Sequence, residues 1–121
     1  MQTVLVIDDS SATCDLIEKV LSPLGVQIIT AGDGETGIDV ARRAQPDVVV
    51  MNTRLPGMSG FEIAEMMKSD GELSSIPIIV LTATIMSREK FNRLGSFDGY
   101  VAKPFNPREL RECVERFLNN Q

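Results

Sequence analysis

The sequence predicts an α/β domain in which helices cover both faces of a five-stranded parallel sheet. Five short runs rich in valine and isoleucine recur along the chain, and amphipathic segments separate them. Several runs are apolar at every position, which is typical of strands buried on both faces. Five βα units in 121 residues are too few for an eight-fold barrel, so we expect an open doubly wound sheet with strand order 2-1-3-4-5. The predicted strands are Thr3–Ile7, Val26–Thr30, Asp47–Asn52, Ile76–Leu81 and Gly99–Ala102.

The segments between the strands carry helical stripes and helix start signals. Apolar residues spaced by three and four positions define one helix around Ile17–Leu24 and another around Leu110–Leu118. Ser59 followed by Glu62 predicts a capping box. Asn106 before Pro107 predicts the start of the last helix. The helix expected after the fourth strand has the weakest stripe.

Composition and charge narrow the classes of function. The net charge is −5 and no basic cluster is present, so we expect no nucleic-acid partner for this domain. The chain has no long apolar run and no charged leader, so we expect one cytoplasmic domain over residues 1–121, with no membrane contact and with 119–121 a tail or the start of a linker. The absence of histidine argues against zinc sites, and Cys14 and Cys113 read as reduced thiols.

Polar residues close four of the five strands. Asp8 and Asp9 follow the first strand, Asn52 ends the third, Thr82 follows the fourth and Lys103 follows the fifth. Because ligands of an open parallel sheet bind outside the carboxyl ends of its strands, we expect these side chains to share one site. Adjacent carboxylates without histidine or cysteine suit a hard cation, Mg²⁺ first among them. Lys103 and the Thr82 hydroxyl suit an anion such as phosphate, and the combination suits phosphoryl transfer.

Four sequence blocks resemble the signature blocks of response-regulator receiver domains. They stand in the family's order and spacing, and the resemblance covers essentially the whole chain. It implies a flavodoxin-like, CheY-like fold and a role in two-component signal transduction, as a phosphoprotein and not as an enzyme. The blocks are Asp8–Ser10, Met51–Gly60, Leu81–Ala83 and Lys103–Phe105.

The resemblance also implies a role for each matching residue. Asp9, assisted by Asp8, and the backbone carbonyl of Arg54 correspond to Mg²⁺ ligands, together with position 52. Thr82 and Lys103 correspond to the hydroxyl and the ammonium that bind the phosphoryl group. Tyr100 corresponds to an aromatic switch residue, and the bond between Lys103 and Pro104 to a cis peptide. The implied partners are a histidine kinase or phosphotransfer protein and a downstream effector that binds the face formed by helix 4, strand 5 and helix 5.

Asn52 departs from the family because it stands where the phosphorylated aspartate is expected. An amide is not nucleophilic, so phosphorylation should fail in this chain, and the lost charge should weaken Mg²⁺ binding. Asn52 is either native to a domain that signals by protein contacts alone or a substitution in a conventional receiver. The intact acids and lysine favour the second explanation. Phe97 is a second departure, and an exposed Phe97 would enlarge the effector surface.

Two other classes of function remain as alternatives. Gly32–Gly37 spells GxGxxG after a strand, as in dinucleotide-binding enzymes. It follows an edge strand, however, and the position twenty residues beyond Gly32 holds Asn52 instead of an acid, so we interpret it as a glycine-rich turn. The other alternative is a protein-interaction module without metal or phosphate chemistry.

Overall fold

The computed structural model describes residues 1–83 and 97–119 as a parallel sheet flanked by helices. A 3₁₀ turn, Ser22–Leu24, continues the first helix. The strands are β1 (Thr3–Ile7), β2 (Gln27–Ala31), β3 (Val48–Asn52), β4 (Ile78–Thr82) and β5 (Gly99–Ala102). The helices are α1 (Ser11–Leu21), α2 (Gly34–Ala44), α3 (Gly60–Ser69) and the C-terminal helix (Pro107–Asn119).

The strand order is β2-β1-β3-β4-β5 with every pairing parallel, which confirms the predicted sheet. The predicted bounds of β1 and β5 match the observed ones, and those of the other three strands differ by one or two residues. β4 starts at Ile78, because Pro77 has no amide hydrogen to donate to the ladder. α1 ends at Leu21 and not at Leu24, since Pro23 interrupts the helix. The helix predicted after Thr82 lies outside the described residues.

The sheet divides the core into two layers. Alternate strand residues such as Leu5 and Val49 pack under α2 and α3, while their neighbours, such as Val6 and Val50, pack under α1 and the C-terminal helix. All four of these side chains are fully buried. Burying one such side chain contributes about 1.5–3 kcal/mol. The central strands are therefore rigid supports for the residues at their carboxyl ends.

The helix starts predicted from the sequence are present. Ser59 and Glu62 form the reciprocal capping box of α3. The Asn106 carboxamide oxygen accepts hydrogen bonds from the amides of Arg108 and Glu109, at 2.8 and 3.4 Å. These caps satisfy the unpaired amides of the first helical turn and fix where each helix begins.

Two of the three glycines of the GxGxxG motif, Gly34 and Gly37, serve helix packing. A β-carbon on Gly34 would collide with the Ile63 side chain, and one on Gly37 would lie 2.5 Å from the Ile7 δ-carbon. Both glycines are buried, and they allow α2 to approach β1 and α3 closely. This packing supports the interpretation of the segment as a structural turn and helix start.

Among the glycines that the structure describes, Gly60 at the start of α3 has the closest approach to the main chain. An added β-carbon would stand 2.5 Å from the backbone oxygen of Asn52, whereas nothing lies within 4 Å of the same atom on Gly32. We predict that Gly60→Ala lowers the free energy of unfolding by about 2 kcal/mol through overpacking. The matched control Gly32→Ala should change it by less than about 1 kcal/mol. Urea unfolding measures both, and equal effects would contradict the close approach of α3 to β3.

Candidate functional site

The carboxyl ends of the central strands meet at one edge of the sheet. The register pairs Ile7 with Met51, Asn52 with Leu81, and Thr82 with Ala102. The Lys103 amide donates to the Thr82 carbonyl at 2.8 Å, so the segment that follows β5 remains attached to β4. Lys103 is followed by a cis bond to Pro104, as the resemblance implied.

The Lys103 side chain joins residues that follow two other strands. Its Nζ donates to the Asn52 Oδ1 at 3.1 Å and lies 3.8 Å from the Asp8 Oδ2. The lysine side chain is 26% exposed and the Asp8 side chain only 2%. The ammonium therefore lies beside a carboxylate that is removed from water, and its positive charge offsets part of the cost of burying that group.

Asp8 has one satisfied and one unsatisfied oxygen. Its Oδ1 accepts from the backbone amide of Ser10 at 2.9 Å. Within residues 1–83 and 97–119, its buried Oδ2 has no hydrogen-bond partner, and the ammonium of Lys103 faces it at salt-bridge distance. Asp9, the next residue, is exposed. A buried oxygen without a hydrogen bond is costly, so this atom is a natural ligand for a cation.

Asn52 is bonded through both ends of its amide. While Oδ1 accepts from Lys103, Nδ2 donates to the backbone carbonyl of Arg54 at 3.0 Å. The two partners fix the orientation of the carboxamide. An ammonium only donates, so it must face the oxygen, and a carbonyl only accepts, so it must face the nitrogen.

Thr82 and Tyr100 lie on one face of neighbouring strands. Tyr100 pairs with Val80, two residues before Thr82, so the two side chains leave the sheet on the same side. Thr82 is 2% exposed, and Tyr100 packs against the core layer under α2 and α3. The predicted switch residues therefore lie on the same face of adjacent strands, offset by two residues along the strand direction.

The donor set fits a hard divalent cation. Asp8 and Asp9 would supply carboxylates, and the Arg54 carbonyl would supply a main-chain oxygen. Across the described ranges, no group of three or more acidic or cysteine residues forms a metal cluster. A cation at this edge would therefore depend on the Arg54 carbonyl and on the oxygen at position 52 as well as on the two acids.

Phe97 does not enlarge the exposed surface. It is 6% exposed, and its ring centroid lies 5.4 Å from that of Phe61 in an edge-to-face arrangement. Burial of the ring against α3 explains why a large residue is accommodated before β5. The condition under which Phe97 would add to the effector surface is therefore not met.

Two residues of the site gained no role from the sequence reasoning. Ser10 caps α1 through its hydroxyl, and its amide holds the Asp8 carboxylate. Gly60 lets α3 approach the Asn52 main chain. A serine directly after two acids, and a glycine where a better helix former could start α3, were the signals available in the sequence.

The comparisons with known proteins identify the family. Residues 4–115 match the family model described as response regulator receiver domain. The chain is 38% identical over 109 residues to the probable transcriptional regulatory protein TcrX of Mycobacterium tuberculosis, covering 89% of this chain and 46% of TcrX. It spans about half the length of several curated regulators that it matches.

Solved structures agree with the sequence matches. The chemotaxis response regulator CheY4 of Vibrio cholerae superposes with a TM-score of 0.87 at 29% identity, covering 98% of this chain and 99% of CheY4. The receiver domain of sensor histidine kinase PA1611 from Pseudomonas aeruginosa gives 0.85 at 28% identity and 98% coverage of both chains; its structure has a magnesium ion coordinated in the active site cleft.

The chain belongs to the response regulator receiver domain family, the signalling modules of two-component systems. Its flavodoxin-like fold is the one found in CheY-like proteins. Within the part of the chain that the structure describes, no helix has the length and apolar character needed to cross a bilayer.

Both cysteines should resist thiol reagents while the domain is folded. Burial, reinforced by the charge of Asp8, raises the pKa of Cys14, and burial raises the pKa of Cys113. Since the thiolate is the reactive form, alkylation should accelerate only above the pH at which a free thiol, with a pKa of about 8.5, reacts. Raised folded-state pKa values stabilise the domain below that pH, and this stabilisation is lost as the pH rises further. Iodoacetamide labelling followed by mass spectrometry tests this against the urea-unfolded chain; equal rates in both states would contradict it.

Proposed function

We propose that this domain is a receiver whose phospho-acceptor position is occupied by Asn52, so that the chain as written is held unphosphorylated. The observation that carries the proposal is the Lys103 ammonium, which contacts Asn52 at 3.1 Å and faces Asp8 at 3.8 Å. An aspartate at position 52 would place a carboxylate beside that ammonium and beside the acidic pair. This is the neighbourhood that a transferring phosphoryl group needs.

The acceptor role follows from the chemistry of the side chain. A carboxylate oxygen attacks phosphorus, whereas the amide nitrogen is delocalised into its carbonyl and does not. The phosphoryl donor is a histidine kinase or a phosphotransfer protein. Lys103 and Thr82 bind the oxygens of the transferred group, and the lysine offsets the charge that would otherwise oppose its approach.

Mg²⁺ is the cofactor proposed for this site. Asp8, Asp9, the Arg54 carbonyl and the oxygen of residue 52 would hold it. The unsatisfied, buried Oδ2 of Asp8 supports this assignment, and the related PA1611 receiver holds magnesium in its cleft. When bound, the cation neutralises charge on the phosphoryl oxygens and on the acidic pair.

The output of the domain is a change of surface that starts at Thr82. A phosphoryl group bound by the Thr82 hydroxyl would draw that side chain toward the site and vacate space for Tyr100, whose side chain lies on the same face of the sheet. The effector would bind the surface formed by β5, the C-terminal helix and the helix predicted after β4. That predicted helix falls outside the described residues.

One contact speaks against the alternative of a nucleotide-binding enzyme: the Ile63 side chain covers Gly34, the glycine at which a pyrophosphate would have to approach the backbone. The alternative of an interaction module retains one observation in its favour. Asn52 is hydrogen-bonded to Lys103 and to the Arg54 carbonyl within the chain, so both ends of its amide are paired without phosphate. A module of this kind would bind its partner regardless of phosphodonor.

The decisive variant is Asn52→Asp. We predict that it takes up one phosphoryl group from a small phosphodonor such as acetyl phosphate in the presence of Mg²⁺, and that the chain with Asn52 takes up none. Intact-mass spectrometry after a short incubation measures the uptake. The matched control is Asn52→Asp combined with Asp9→Asn, in which loss of a metal ligand should slow uptake by at least about tenfold.

Absence of uptake by Asn52→Asp, in a protein that keeps its fold by circular dichroism, would contradict a receiver function at this site. Uptake by the Asn52 chain would contradict the assignment of position 52 as the acceptor.

A further inference from the structure

The Asn52 side chain forms two hydrogen bonds that involve oxygens of the proposed cation site. Its Nδ2 donates to the Arg54 carbonyl at 3.0 Å, and this carbonyl belongs to the proposed ligand set. Its Oδ1, the other oxygen that the set requires, accepts from Lys103 at 3.1 Å. Asn52 is therefore hydrogen-bonded both to the Arg54 carbonyl and to the Lys103 ammonium.

We propose that the Asn52 amide competes with Mg²⁺ by donating to the Arg54 carbonyl, so that this carbonyl has a hydrogen-bond partner in the absence of a metal. The amide hydrogen engages the Arg54 carbonyl and the Lys103 ammonium engages the side-chain oxygen, which are two of the oxygens that would hold the metal. This inference rests on the proposed function, because Mg²⁺ is the cation of the same site. It adds that asparagine is an active competitor and not merely a neutral substitute.

Loss of the negative charge at position 52 is the alternative explanation for weak Mg²⁺ binding, and it predicts a different result. If it were the sole cause, every neutral residue at position 52 would weaken Mg²⁺ binding equally. Competition means that the hydrogen bond from Nδ2 to the Arg54 carbonyl is weakened or lost when that oxygen binds the metal. A neutral side chain that cannot donate leaves the carbonyl open. A protein with such a side chain at position 52 should therefore bind Mg²⁺ more tightly than the Asn52 form does.

Leucine provides the matched comparison. It is close to asparagine in shape, it carries no charge, and it neither donates nor accepts a hydrogen bond. Lys103 is replaced by methionine in every variant, because without the Asn52 oxygen its ammonium, 3.8 Å from Asp8, would pair with that acid and repel the metal. In this background the bond from Nδ2 to the Arg54 carbonyl alone orients the Asn52 carboxamide, and only the side chain at position 52 differs between the variants.

The experiment measures Mg²⁺ dissociation constants by isothermal titration calorimetry at fixed ionic strength, with the shift of the melting temperature in MgCl₂ as a second readout. Three proteins are compared in the Lys103→Met background: the Asn52 form, Asn52→Leu and Asn52→Asp. Asn52→Ala replaces the leucine variant if leucine disturbs the fold. We expect the aspartate form to bind most tightly and the leucine form to bind about fivefold more tightly than the Asn52 form, the effect of one net hydrogen bond.

Equal or weaker binding by the leucine form, or by the alanine form where it replaces leucine, with tight binding by the aspartate form, would overturn the competition and leave the proposed function intact. It would mean that the asparagine oxygen serves as a ligand or that charge alone acts. If the aspartate form also failed to bind Mg²⁺, the metal site of the proposed function would fail, and the competition would fail with it. These measurements use no phosphodonor, so they are separate from the test of phosphoryl uptake.

Discussion

The ammonium of Lys103 is the interaction on which the arrangement at the sheet edge depends. It lies between Asn52 Oδ1, at 3.1 Å, and the buried Oδ2 of Asp8, at 3.8 Å. Without this ammonium, the Asp8 carboxylate, which is 2% exposed, would lose its facing positive charge while standing next to a second acid, Asp9. Since an uncompensated buried charge is strongly destabilising, the lysine permits the acidic pair to exist before any metal or phosphate arrives.

The sheet makes that contact possible by holding three chain segments in register. β1, β3 and β4 are central strands whose apolar side chains are buried on both faces, and their carboxyl ends stop at the same edge. Lys103 reaches them because its amide donates to the Thr82 carbonyl directly after β5. The helices contribute at the same edge: Ser10 caps α1 and binds Asp8, while Gly60 brings α3 against Asn52.

The sequence predicted most of this arrangement because strand ends are local features. Continuous apolar runs that end in Asp8, Asn52 and Thr82 place those residues at one edge of any parallel sheet. The bonds of Asn52 were not predictable, since the partners of a carboxamide depend on distances of a few tenths of an ångström between loops. The burial of Phe97 was equally hidden, because its contact with Phe61 joins residues 36 positions apart. The glycines at 34 and 37 matched a dinucleotide motif, and only the packing of Ile7 and Ile63 against them revealed their structural role.

The most direct test of the account is a double-mutant cycle between Asp8 and Lys103, with Asp8→Asn, Lys103→Met and the double variant unfolded by urea in EDTA. The account predicts that the two changes are coupled by about 1 kcal/mol, because each single change leaves the other charge without its partner. Additive effects would place the lysine and the carboxylate in separate environments and would contradict a shared site at the sheet edge.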